Sequence, residues 1–212
     1  KSYSKEEGPL ADYIHAWFAS RSIETSMIGG NVVARLAGSD PSRAFIMNSH
    51  MDTVDADPTW ERDPFKADVS DGKMYGLGAC DMKAGLAASM VLAESMMRDG
   101  QVPVDMWFTY VVQEELDGQG SKDVADWFAQ THLPSYRETA AIFTEPTMLT
   151  DIEHGHRGNI FLEAVSEGGS GHASRPSELD SHSVRTMIQF ADALQVAALD
   201  WQKEFGETVF EP

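Results

Sequence analysis

Apolar positions along the chain switch repeatedly between a period near 3.6 and the shorter repeat of extended backbone, the pattern of helices alternating with strands. Leu10, Ile14, Trp17 and Phe18 share one helical face and Pro9 suits a first turn, so a surface helix is predicted over about 6–21. Strands follow at about 31–37 (NVVARLA) and 44–49 (AFIMNS). From Met82 to Arg98 the chain is rich in Ala, Leu and Met, and Asp99-Gly100 stops the helix that these favour. The unbroken apolar run VDMWFTYVV at 104–112 predicts a strand buried on both faces, and AAIF at 140–143 a second, shorter buried strand, with a helix near 122–130 between them. The expected class is α/β, a mostly parallel sheet with flanking helices.

The texture changes near 153–157, where a domain boundary is expected. NIFLEAV at 159–165 is strand-like, a Gly-Ser-rich turn spans 168–171, and a long helix is predicted from about Ser181 to Phe205. Division into 1–153 and 154–212 leaves a second piece small for an independent domain, and the chain reads as cut within it.

Composition narrows the function. With 212 residues and 42% hydrophobic content the chain can bury a core. Sixteen Lys and Arg against thirty-four Asp and Glu give a net charge of −18, which repels phosphate backbones and anionic lipid, so neither nucleic acid nor membrane is an expected partner. No apolar run approaches the roughly 20 residues of a spanning helix, and KSYSKEEGPL lacks the layout of a signal peptide; the expected compartment is the cytoplasm, unless a preceding segment carries a targeting signal. A lone cysteine, Cys80, leaves any metal to His, Asp and Glu.

Those residues fall at strand ends. AFIMNS runs into His50-Met51-Asp52, the long apolar strand into Glu114-Glu115, and AAIFT into Glu145. If the strands are parallel, these groups meet at the sheet edge where α/β folds place ligands. Asp81 adds a carboxylate from a glycine-rich approach, where it could equally serve as a helix cap. Taken singly, His50 could be a histidine satisfied by a carboxylate, Glu114-Glu115 solvated surface and Glu145 a turn residue. Crowded together, uncompensated carboxylates repel one another, and a divalent cation removes the conflict. Residues two apart in extended chain face the same way, so Asp52 can fix the ring of His50. Glu114 and Glu115 point differently and can divide the tasks of ligand and general base, while Asp81 could bridge two ions. Imidazole and carboxylate suit zinc, with cobalt or manganese as substitutes.

In order and spacing the chain resembles the zinc-dependent deacylases and peptidases that include acetylornithine deacetylase, succinyl-diaminopimelate desuccinylase, glutamate carboxypeptidase and aminoacylase. The resemblance runs through SYSKEE at 2–7, NSHMDTV at 48–54, Trp60 with DPF at 63–65, DGKMYGLGACDMKAG at 71–85, QEE at 113–115, TEPT at 144–147, GHRG at 155–158 and GHASRP at 171–176. It implies that His50 and Glu145 hold one zinc, Glu115 the other, and that Asp81 bridges them, with Asp52 orienting His50 and Glu114 as general base. It also implies a cis peptide at Asp81-Met82, and an inserted α+β lid and dimerisation domain beginning near residue 154. His172 would then donate to the oxyanion, from the partner subunit in a homodimer. Arg157 would either meet a substrate carboxylate or pair with neighbouring acids.

The family's second zinc also takes a histidine from beyond the lid. None of His15, His132, His154, His156 or His182 matches that position, so the chain reads as a fragment that also lacks an opening helix. The expected activity is hydrolysis of the amide of an N-acyl amino acid, acetylornithine deacetylase-like, with zinc supplying Lewis acidity. Alternatives are a desuccinylase, carboxypeptidase or dipeptidase of the same family acting on a short peptide or other N-acyl amino acid, or a truncated non-catalytic binding module. A two-metal nuclease or phosphatase is disfavoured by the scarcity of basic residues near the site.

Overall fold

A computed structural model describes residues 1–149, 151–155, 162–172, 174–175 and 181–205. The chain divides into two compact units, Lys1–Glu153 and His154–Pro212. The first unit holds a five-stranded sheet in the order β1-β2-β6-β3-β7. Its strands are β1 (Glu24–Ile28), β2 (Asn31–Leu36), β3 (Asp40–His50), β6 (Val104–Val111) and β7 (Glu138–Phe143), and a two-stranded ribbon pairs β4 (Asp68–Ser70) with β5 (Lys73–Tyr75).

The α/β class expected from the sequence is found. β6-β3-β7, which carries the polar strand ends, is parallel, while β1 and β2 extend the sheet antiparallel, so the whole is mixed. β1 was not anticipated. It is joined to β2 through Gly29-Gly30, both at positive φ (58° and 90°), the backbone that a two-residue hairpin turn requires.

Helices cover both faces of the sheet. α1 (Gly8–Ala19) and α2 (Ala84–Asp99) lie over one: Ile14 and Phe18 of α1 and Leu86 and Met90 of α2 pack with Val32, Met106, Phe108 and Tyr110. α3 (Gln119–Thr131) lies over the other, where Val124 and Phe128 meet Val33, Trp107 and Val111. Alternate residues of β6 thus point to opposite cores, which is why its sequence is apolar apart from Asp105 and Thr109, both buried. Full burial of side chains of this size stabilises by about 1.5–3 kcal/mol each. α2 ends as predicted, with Gly100 in the left-handed region (φ 64°) donating its N–H back into the last turn.

β7 corrects an expectation. AAIF was expected to be buried, yet β7 is an edge strand among the described residues, with Ile142 42% and Phe143 60% exposed. An apolar run of this length reports strand propensity, and its position in the sheet decides the burial.

In the second unit α4 (Ser183–Phe205) matches the predicted long helix. The described part of the expected 159–165 strand, 162–165, adopts no regular strand; the rest of it lies outside the described residues. Ser166 Oγ donates to Ser183 O (3.1 Å) and Gly169 N–H to Ser181 O (3.2 Å), tying the Gly-Ser segment to the start of α4. No helix among the described residues is long and apolar enough to cross a membrane.

Candidate metal centre

β3 and β6 run parallel with His50 opposite Val111, so the segments leaving them emerge side by side at one edge of the sheet. His50 ends β3 and is 1% exposed. Its Nδ1 lies 3.0 Å from the backbone oxygen of Asp52 and 3.3 Å from Asp52 Oδ1. Its Nε2 lies 3.0 Å from Asp81 Oδ1, 3.9 Å from Glu145 Oε2 and 4.0 Å from Glu114 Oε2. Ligand atoms of His50, Asp81 and Glu115 all lie within 4.8 Å of one another, the one such group found among the described residues.

Asp81 enters from Ala79–Lys83, an irregular turn leading into α2, with a cis peptide between Asp81 and Met82. Two glycines, Gly78 before the turn and Gly85 in the first turn of α2, permit the close packing on either side of it. A Cβ on Gly78 (φ 73°) would come 2.5 Å from Thr53 Cγ2 and 2.8 Å from Lys83 Nζ, and one on Gly85 would collide with the backbone oxygen of Thr144. The second approach draws the start of α2 against the residue preceding Glu145. Thr144 is held in turn by its N–H on Asn48 O (3.0 Å) and by a hydroxyl contact with Ser49 (2.8 Å).

Asp52, 0% exposed, is the centre of the polar framework. Its Oδ1 accepts the Glu114 N–H (3.1 Å), and its Oδ2 accepts the Glu115 N–H (3.1 Å) and the Ser4 hydroxyl (2.7 Å). Burial opposes the charge of Asp52, but donors from His50, Ser4 and Glu114 outweigh it and hold the carboxyl below its usual range.

The other acids behave oppositely. Burial raises Glu145 to about 7, with Asp81, Glu114 and Glu115 adding repulsion against the attraction of His50. Glu115 is also raised, by burial and then by Asp81. Burial favours neutral His50, yet Asp52, Asp81 and Glu145 raise it to about 9. One imidazole with oxygen donors, two of them carboxyls pushed up by burial and by neighbouring acids, suits a hard or borderline divalent cation.

The structure brings together His50, Asp52, Asp81, Glu114, Glu115 and Glu145. His172 belongs to the second unit, exposed, with Nδ1 2.8 Å from Ser174 Oγ. Arg157 lies outside the described residues. His132 packs against Trp107 and Trp127, ring centroids 4.5 and 4.8 Å away.

Sequence reasoning overlooked three residues here. Burial lowers the pKa of Lys83 against the attraction of Asp52, Asp81 and Glu115, placing an ammonium among the carboxylates. Its signal was its place two residues after Asp81. Ser4 holds Asp52, and buried Glu7 accepts the Gln113 N–H (3.0 Å) through Oε1; both belong to the SYSKEE motif, to which no role had been given.

Comparison with known proteins is consistent with this centre. The profile described as Peptidase family M20/M25/M40 matches residues 46–207. A succinyl-diaminopimelate desuccinylase of Rhodospirillum centenum is 31% identical over 191 residues, 86% of this chain and 47% of that protein. A peptidase M20 domain-containing protein of Schizosaccharomyces pombe is 29% identical over 192 residues, 84% of this chain and 43% of that one. The chain therefore spans about half the length of the curated relatives it matches. Among solved structures, human carnosine dipeptidase 1 shares the fold with a TM-score of 0.56 at 18% identity, over 65% of this chain and 32% of that one.

Proposed function

Because the chain belongs to peptidase family M20/M25/M40, we propose that it carries the metal centre of a hydrolase that cleaves the amide bond of an N-acyl amino acid. The observation that carries this reading is the meeting of His50, Asp81 and Glu115 within 4.8 Å, with Glu114 Oε2 4.0 Å from the His50 ring. His50 and Glu145 would hold one zinc ion, Glu115 the other, and Asp81 both; cobalt or manganese could replace zinc. When bound, the ions supply Lewis acidity for the scissile carbonyl and make water a better nucleophile near neutral pH.

The chain's own residues supply the rest. Asp52 fixes the His50 ring from behind and, through the Glu114 and Glu115 amides, the turn that presents both glutamates. Glu114, free of metal in this scheme, takes the proton of the attacking water and returns it to the leaving amine. Residues 154–212, with the GHASRP motif, would belong to a lid and dimerisation domain in which His172 donates to the oxyanion, in trans in a homodimer, while Arg157 meets a substrate carboxylate.

Acetylornithine-type deacylation and desuccinylation are both compatible with this centre, and the desuccinylase relative favours an acyl group that itself carries a carboxylate. The dipeptidase neighbour shares fold alone, and peptide cleavage is the alternative. The test is a panel of N-acetyl and N-succinyl amino acids and dipeptides, assayed in the full-length protein with zinc and with Glu114→Gln. Loss of about 100-fold or more in kcat with zinc content unchanged is expected. Full zinc occupancy without turnover on any member would instead favour a binding module.

A further inference from the structure

The segment 2–7 is bonded to the residues that carry the proposed chemistry. Ser2 Oγ donates to Met51 O (2.7 Å), the Thr53 N–H donates to Ser2 O (3.0 Å), and Tyr3 bridges Thr53, so the segment runs alongside the loop that follows His50. From that platform Ser4 donates to Asp52 Oδ2 at 2.7 Å, and Glu7, 3% exposed, accepts the Gln113 N–H at 3.0 Å. Three successive amides, those of Gln113, Glu114 and Glu115, are thus held by two buried carboxylates, Glu7 taking the first and Asp52 the other two. Gln113 needs such support, because it turns the chain out of β6 at φ 56°, a conformation disfavoured for a residue with a side chain. The carbonyl side of this turn is closed by the Asp117 and Gly118 N–H groups, which donate to Gln113 O (3.2 and 2.9 Å); the two carboxylates hold its amide side, from which the two glutamates project.

We propose that Ser4 and Glu7 are positioning residues that act through Asp52 and Gln113 to set the turn from which Glu114 and Glu115 reach the metal centre. Ser4 also fixes the Asp52 rotamer, leaving Oδ1 for the Glu114 amide and the His50 ring. The inference rests on the reading of Glu115 as ligand and Glu114 as base, but the turn itself can be observed independently.

The experiment titrates the 212-residue chain with Co2+, followed by visible absorption, in parallel with hydrogen exchange at the Gln113, Glu114 and Glu115 amides. Ser4→Ala is expected to weaken Co2+ binding about 10-fold, as loss of an outer hydrogen bond commonly does, and to speed exchange at Glu115, while the unfolding midpoint stays close to that of the parent. Ser4→Thr, which keeps a donor, should restore both. Glu7→Ala should speed exchange at Gln113 and weaken Co2+ binding, and Glu7→Gln, which keeps the acceptor, should not.

Should burial of Glu7 make Glu7→Ala fold poorly, the serine pair decides. Unchanged Co2+ affinity and exchange in Ser4→Ala, or a lowered unfolding midpoint with affinity intact, would overturn the proposal. If Glu115→Ala binds Co2+ as the parent does, the metal reading falls. Exchange at the three amides then decides the positioning role alone.

Discussion

His50 is subject to opposed influences. Burial favours its neutral ring, while Asp52, Asp81 and Glu145 favour the imidazolium and prevail, raising it to about 9. A metal takes only the neutral ring, so uptake at pH 7 must expel a proton, and affinity should rise as pH increases towards 9. Glu145, held to about 7, pushes in the same direction, because as the proposed ligand it would bind metal as the carboxylate. Titration calorimetry in buffers of different ionisation enthalpy is expected to show release of at least one proton at pH 7; heats independent of the buffer would contradict this. Asp52, Glu114, Glu115 and Glu145 were legible because each follows an apolar run, and Asp81 because a glycine-rich approach leads into it. Ser4 and Glu7 were not, since their meaning lies in contacts 48 and 106 positions away along the chain; Lys83 stands two residues after Asp81, but its shift comes first from burial that arises only after folding.

At the scale of elements, the site depends on how closely α2 approaches the end of β7. Gly85 permits that approach, and Gly85→Ala would drive a Cβ into the Thr144 carbonyl, forcing the two elements apart. A cost of about 1–3 kcal/mol is expected, with weaker metal binding because Glu145 follows Thr144. Chemical denaturation checks the first effect and metal titration the second. A variant as stable as the parent, with unchanged affinity, would show that the contact is dispensable. α1, α2, α3, α4, β2, β3 and β6 were readable from apolar spacing, helix stops and the long buried run. β1 was not, because ETSMI has no alternation and its residues are mostly exposed; pairing with β2 makes it a strand. AAIF was recognised as a strand but assigned the wrong environment, since burial of a strand is a property of its neighbours.

At the scale of the molecule, five of the thirty-four acids surround one histidine where a cation would be held. Family membership accounts for the order of the motifs, and the geometry of the first unit accounts for why they converge: parallel β3, β6 and β7 deliver their C-terminal ends to one edge. The surface charge itself was no guide to the site, because most of the thirty-four acids lie elsewhere. Calorimetric titration of the 212-residue chain with zinc, beside Asp81→Ala, tests the central claim most directly. At least one saturable site per chain, weakened 10-fold or more in Asp81→Ala, is the predicted result; zinc binding that Asp81→Ala leaves unchanged would contradict it.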